Sequence, residues 1–128
     1  MWQSRQFPHE PQLISLGNNC LISSDVTFIN HDMIHQLLNN KYSTKQYKFN
    51  RGIIEIGDNV LIGSRVCILP NVKIGNDVVI GAGSIVTKDI PSNSVGGGVP
   101  FKIFNTFDDL AEKRKSIKYF EDLDQYWE

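Results

Sequence analysis

Aliphatic side chains return at every sixth residue along the middle of this chain. They stand at Ile56, Ile62, Ile68, Ile74, Ile80 and Val86, and glycine follows at positions 57, 63, 75 and 81. The fifth slot of each hexad holds Val60, Val66, Val72, Val78, Ser84 and Ile90. The same rhythm occurs earlier at Leu16, Ile22 and Phe28, with Cys20 and Val26 in the fifth slots. A helix cannot use a period of six, because such positions precess around its axis. Simple strand alternation has no need of glycine at every sixth residue. The pattern fits a chain that runs straight briefly, turns sharply and repeats, which is an all-β architecture: a parallel β-helix of hexapeptide repeats.

Side-chain direction gives the repeat its mechanics. The first residue of each hexad points into the coil, and the small or β-branched fifth residue faces inward near the corner. Glycine relieves crowding where the backbone bends. Three hexads close one triangular coil, so residues 56–73 form one coil, 74–91 the next, and 16 to about 32 an earlier one. Stacked coils bury a continuous aliphatic column and pair their backbones upward and downward. The ends of so thin a stack leave strand edges open. Association with copies of itself would cover them, and a homotrimer is expected.

The rhythm fails in two places. In phase with Phe28, aliphatics would be needed at 34, 40, 46 and 52, where the chain has Ile34, Asn40, Gln46 and Gly52. Residues 33–52 are therefore expected to form an extruded loop, polar but carrying Tyr42, Tyr47 and Phe49, before the repeat resumes at Ile56. Long excursions from a regular scaffold are usually functional. After Val86 the pattern decays, and three consecutive glycines and two prolines predict a chain leaving the prism. The predicted organisation is an arm over 1–12, a β-helix over 13–104, and a C-terminal helix and tail over 105–128. A helix is predicted from about Phe107 to Phe120, with Thr106 as its cap, Asp108 and Asp109 in its first turn, and Leu110, Ala111, Ile117 and Phe120 as its apolar face, packed over the end of the coil.

Bulk properties narrow the function. A length of 128 residues, a net charge of −1 and a pI near 6.3 describe one domain without the basic surface of a nucleic-acid binder. The basic run Lys113-Arg114-Lys115 sits among acidic residues and reads as a solvated helix face. Cys20 and Cys67 read as packed, reduced thiols rather than a disulfide or metal pair. No stretch has the length of a membrane span, and the first residues lack a signal-peptide pattern, so a soluble, cytoplasmic protein is expected.

The run IGDNVLIGSRVCILPNVKIGNDVVIGAGSIVTKDIPSNSVGGGVPFKI, with NHD before the extruded loop, resembles the hexapeptide-repeat O-acetyltransferases. That group includes maltose, galactoside and nodulation-factor acetyltransferases and enzymes that decorate capsular and lipopolysaccharide sugars. The resemblance covers roughly residues 14–120. It implies a left-handed parallel β-helix, against the usual hand of crossovers, and trimers with acetyl-CoA as co-substrate in the groove between neighbouring prisms. It implies His31 as the catalytic base that removes a proton from a carbohydrate hydroxyl. Asp32 is the second catalytic candidate, as the residue orienting His31, although neighbours on an extended backbone point apart; Asn30 ranks below it. His35 reads as exposed or acceptor-facing, and His9 as incidental.

The coenzyme half of the resemblance is also residue by residue. Ser64 and Ala82 occupy positions that touch the pantetheine arm in relatives, and Thr87 and Lys88 match residues that bind the same arm. Lys102 falls where relatives place a cation for the nucleotide phosphates. Three positions depart from the pattern: Leu61 where many relatives have Trp, Phe101 in place of a small residue, and Asn105 where some carry arginine. Many relatives also have further coils and a helical region before the His-bearing coil, where this chain has about fifteen residues, as in a minimal member or a fragment. A non-catalytic trimeric scaffold, or a degenerate protein that still binds a coenzyme-A-like nucleotide, is the alternative, and N-acetylation of an amino sugar would use the same base. A zinc enzyme of the γ-carbonic anhydrase type shares the fold. It needs three histidine ligands, and here only His31 and His35 lie close in sequence, so no metal is expected.

Overall fold

Strands of two to four residues, separated by sharp corners, make up most of the chain from Ile14 onward. The structure, a computed structural model, describes residues 11–117. The predicted arm thus lies almost wholly outside the described residues, as do His9, Phe120 and the tail beyond 117. After a 3-10 turn at Pro11–Leu13, the first coil comprises β1 (Ile14–Leu16), β2 (Leu21–Ile22) and β3 (Thr27–Phe28). The second comprises β4 (Ile54–Ile56), β5 (Val60–Ile62) and β6 (Cys67–Ile68), and the third β7 (Lys73–Ile74), β8 (Val78–Ile80) and β9 (Ile85–Val86). Equivalent strands stack in parallel: Leu16 on Ile56 on Ile74, Ile22 on Ile62 on Ile80, and Phe28 on Ile68 on Val86. Three parallel walls and a C-terminal helix fit a left-handed parallel β-helix.

The hexad positions explain the core. All six first-position residues from Ile56 to Val86 are at most 4% exposed, and the fifth-position residues from Val60 to Ile90 at most 2%. Ser84 takes a fifth slot without leaving its hydroxyl orphaned, since Oγ donates to the Gly81 carbonyl at 2.6 Å and accepts from the Gly98 N–H at 3.1 Å. In the first coil Leu16, Cys20 and Ile22 are only half-buried, because no described coil lies over them.

Two backbone devices turn the corners. The fourth hexad residue is left-handed at Asn19, Asp25, Asn59, Arg65, Asn71, Asp77 and Gly83, a conformation that Asn, Asp and Gly accept most readily. The glycine of the second slot serves a different need. A Cβ on Gly63 would lie 2.6 Å from Ala82 N and 2.8 Å from Ile80 O, so it is the backbone of the next coil that demands glycine there. Side chains of each coil also cap the N–H groups of the one before. Asp58 Oδ1 accepts from Asn18 N–H at 2.7 Å, Asn76 Oδ1 from Asp58 N–H at 2.8 Å, and Ser92 Oγ from Asn76 N–H at 2.8 Å.

Three expectations are corrected here. The chain does not leave the prism after Val86: Ile90 bridges Ile74, and β10 (Ser94–Gly97) adds a parallel strand to β8. Only then does it reverse into β11 (Lys102–Asn105), antiparallel to β10. The hexad spacing is lost there while the walls continue, so the aliphatic count hid them. The extruded segment, read as a loop, contains α1 (Ile34–Tyr42), closed by Ser43 in a left-handed C-cap. The last helix, α2 (Phe107–Lys115), stops short of Phe120. Thr106 Oγ1 caps it at Asp109 N–H (3.1 Å), as expected. Its ties to the coil are polar, with Asn93 Oδ1 accepting from Asp108 N–H at 3.0 Å, and no residue of α2 is buried.

Candidate active site

His31 stands three residues beyond Phe28, the end of the third wall's first strand. The extruded segment begins and ends beside it. His31 forms an antiparallel bridge with Arg51, and the Asn30 carbonyl accepts from Gly52 N–H at 2.6 Å. An excursion of some twenty residues is thus pinched shut at its foot, and the side chains of 30, 31, 49 and 51 meet there. Within the segment, Asn39 clips the returning chain with two bonds, Nδ2 to Tyr47 O at 3.0 Å and Oδ1 from Tyr47 N–H at 3.1 Å. That clip gives the excursion a fixed shape.

The imidazole has contacts on two sides. Its Nδ1 lies 3.0 Å from Oδ1 of Asn30, and Asn30 is fully buried. The Phe49 ring lies 5.2 Å away, centroid to centroid, at 45°. The Arg51 guanidinium carbon sits 4.8 Å from the centre of the Phe49 ring, a cation–π geometry. His35, the second residue of α1, meets the same Phe49 edge-on at 5.3 Å. Asp32 does not take the orienting role expected of it. Its Oδ1 accepts from the Ile34 N–H at 3.1 Å, at the start of α1, while Asn30, ranked below it, holds the ring.

An amide oxygen at Nδ1 has a chemical consequence. It accepts a hydrogen bond only if Nδ1 carries the proton, which leaves Nε2 with a lone pair. The arrangement can take a proton from a substrate group at Nε2.

The register sorts the remaining candidates. Phe28, Ile68 and Val86 share one column, so the residues that follow them share one corner: His31, Asn71 and then Thr87 and Lys88. At about 4.8 Å per coil, Lys88 and His31 lie two coils apart, roughly 10 Å along the stack. Ser64 and Ala82 stack at the preceding corner, between the second and third walls. With Ser24, Asp25, Arg65 and Gly83 they line an open recess of about 510 Å³. Lys102, exposed, begins β11 at the edge of the second wall. The structure therefore brings His31, Thr87 and Lys88 to one corner and puts Ser64 and Ala82 at another, with the third wall between them. Cys67 lies on that wall. Burial pushes its thiol, and that of Cys20, above the usual range, and both are free. Among the described residues no group of three or more His, Cys, Asp or Glu is placed to hold a metal, and no helix is long and apolar enough to cross a membrane.

Sequence reasoning ranked Asn30 below Asp32 and missed Phe49 and Arg51 as members of the His31 cluster. Nothing periodic marks the last two, which reach His31 only because the excursion closes on itself. A local charge count would have found another feature: residues 33–52 hold Lys41, Lys45, Lys48 and Arg51 and no acidic residue.

The chain is similar to known proteins in sequence and in fold. Residues 54–88 match the family described as bacterial transferase hexapeptide (six repeats). The galactoside O-acetyltransferase of Escherichia coli (strain K12) is 44% identical over 111 residues, which cover 85% of this chain and 50% of that protein. Among solved structures, a galactoside acetyltransferase in complex with coenzyme A superposes with a TM-score of 0.66 at 41% identity, over 85% of this chain and 50% of the other. A maltose O-acetyltransferase from Clostridium difficile 630 gives a TM-score of 0.61 at 32% identity, over 75% and 60%. The chain spans about half the length of the curated relatives it matches. The repeat, the stacked walls and these likenesses agree, and the chain belongs to the hexapeptide-repeat acetyltransferase family.

Proposed function

We propose that this chain is an acetyl-CoA-dependent O-acetyltransferase that acylates a carbohydrate hydroxyl, with His31 as general base. The observation that carries the reading is the 3.0 Å contact between His31 Nδ1 and the buried Asn30 Oδ1, which leaves Nε2 free to accept a proton. Acetyl-CoA supplies an acyl group activated as a thioester. His31 Nε2 takes the hydroxyl proton as the oxygen attacks the acyl carbon, and the same imidazolium returns that proton to the departing sulfur. Phe49 packs against the ring. Asp32, proposed at first to orient His31, acts instead through the start of α1.

The chain's residues suit a slender carrier ending in phosphates. Ala82 and Gly83 keep the 510 Å³ recess shallow and open, so Ser64 and Ala82 would flank the pantetheine arm. Thr87 and Lys88 would contact it at the next corner, and Lys102 would meet the nucleotide phosphates. In this reading the coil is left-handed and three copies assemble, bringing corners of neighbouring prisms together. Exposed apolar side chains support the assembly, with Leu21 (63% exposed) and Leu61 (38%) on the second wall and Phe104 (73%) on β11.

The test is acetyl-CoA turnover with a galactoside as probe acceptor, comparing wild type, His31→Ala and Lys102→Glu. Loss of turnover with coenzyme binding retained is expected for His31→Ala, by about 10²–10⁴-fold, and weakened coenzyme binding for Lys102→Glu. Full activity in His31→Ala sinks the mechanism. A folded wild type that binds no coenzyme A means a scaffold. Product analysis with an amino sugar separates O- from N-transfer.

A further inference from the structure

The excursion that begins and closes beside His31 carries lysine and arginine but no acidic residue, on an otherwise acidic protein. Of 13 Lys and Arg residues, four lie within 33–52, and all 14 Asp and Glu lie outside it. The remaining nine bases thus face fourteen acids, and the positive charge is gathered on one segment. Lys41, Lys45 and Lys48 are exposed. Among the described residues none of the three pairs with a carboxylate, whereas Lys73, Lys113 and Lys115 do.

The lysines are interleaved with sugar-binding chemistry. Tyr42 is 57% exposed, with the half-buried Tyr47 6.3 Å away, and Lys41 Nζ lies 5.9 Å from the Tyr42 ring centre. Beside them Asn39, Asn40, Ser43, Thr44 and Lys45 line a recess of about 360 Å³. Asn39 is committed to the Tyr47 backbone, which leaves the Asn40 amide and the Ser43 hydroxyl, both exposed, for a ligand. The surface extends from the His31 corner along α1, about 10 Å at 1.5 Å per residue from Ile34 to Lys41. Whatever lies on it can present a hydroxyl to the base at its foot.

We propose that the acceptor is an anionic carbohydrate, one bearing carboxylate or phosphate groups, that docks along the basic face of the 33–52 segment. This inference rests on the acetyltransferase reading of His31. The Tyr42 ring offers a stacking face to a sugar, Asn40 and Ser43 its hydroxyl partners, and Lys41, Lys45 and Lys48 the counter-charges. A long nucleic acid fits less well, because the acidic remainder of the chain repels any stretch that extends past the segment.

Three trimeric saccharides serve as probes: oligogalacturonate, a phosphorylated maltotriose and neutral galactotriose. Binding is followed by amide shifts in the ¹⁵N-labelled protein at 50 and 200 mM salt, and turnover with acetyl-CoA. Shifts at Lys41, Tyr42, Ser43, Thr44, Lys45 and Lys48 are expected with the charged trimers, weakening at the higher salt. Whichever of the two binds tighter identifies the charged group. In K41E/K45E/K48E the preference in kcat/KM for charged over neutral trimer should fall between about 3- and 160-fold, three exposed ion pairs at about 0.2–1 kcal/mol each. Charged trimers that bind but are not acetylated would support the docking surface and refute the enzyme reading. Equal use of neutral and charged trimers would overturn the inference alone. So would a variant whose defect lies in the KM for acetyl-CoA or in its sedimentation as an oligomer, or an RNA oligonucleotide that binds more tightly than either charged trimer.

Discussion

Truncating Ile62 to alanine tests whether the coils share one column of side chains. Ile62 is fully buried in the middle coil, in register with Ile22 on one side and Ile80 on the other. Alanine removes three carbons, about 2.4 kcal/mol of transfer free energy at ~0.8 kcal/mol each. The walls around it are hydrogen-bonded coil to coil, from Ser23 N–H to Ile62 O at 3.0 Å and from Gly63 N–H to Ile80 O at 2.9 Å, and cannot close over the gap. A residual hole of about 70 Å³ at ~24 cal/mol per Å³ adds roughly 1.7 kcal/mol. The expected loss is about 4 kcal/mol. Leu16→Ala, in the half-buried first coil, should cost about half of that. Urea unfolding at fixed protein concentration, followed by circular dichroism, measures both through the midpoint at unchanged slope. A loss for Ile62→Ala below about 1.5 kcal/mol, or equal to that for Leu16→Ala, would refute the shared column, since the lower figure is within reach of a site that relaxes freely.

Gly63→Ala should destabilise the fold by about 1–3 kcal/mol, as overpacking against backbone does. Gly81→Ala should cost less, because its nearest contact is 3.3 Å from Gly96 O; thermal melts of the pair check this. Asn30→Leu should lower kcat about 10–100-fold, part of what a general base contributes, with the KM for acetyl-CoA unmoved. Its imidazole ¹⁵N shifts should show that the Nδ1–H form of His31 is no longer favoured, and an unchanged tautomer would remove Asn30 from the mechanism. Cys20 and Cys67 should alkylate with iodoacetamide more slowly than a free thiol at pH 7.5. Burial raises both, so the reactive thiolate is scarce until the pH rises or urea unfolds the chain.

The scaffold was legible because each of its constraints recurs within six residues. Ile56 to Ile90 each report one burial event, and the register follows without knowledge of any distant partner. Legibility ended where the spacing changed while the wall went on. Ile90 lies four residues after Val86 and still bridges Ile74, which lies six residues after Ile68, so the corner is two residues shorter there while the backbone pairing continues. The α1 helix escaped for another reason. Its apolar residues Ile34 and Leu37 are exposed, at 56% and 72%, so they carry no pattern imposed by this chain's own core.

The His31 cluster shows what periodicity cannot reach. Asp32 was the better orienting candidate by charge alone, since a carboxylate holds an imidazolium more strongly than an amide does. Geometry favours Asn30. The chain reverses at Gly52, which donates to the Asn30 carbonyl, and Asn30 lies fully buried at the foot of the excursion, where its amide must find partners. Asp32 lies past the bridge, where α1 begins and the first free N–H groups of a helix attract a carboxylate. Which of two adjacent residues faces the ring is thus decided by a closure twenty residues away. An amide oxygen there also selects a tautomer, because it accepts from the ring only when Nδ1 carries the hydrogen.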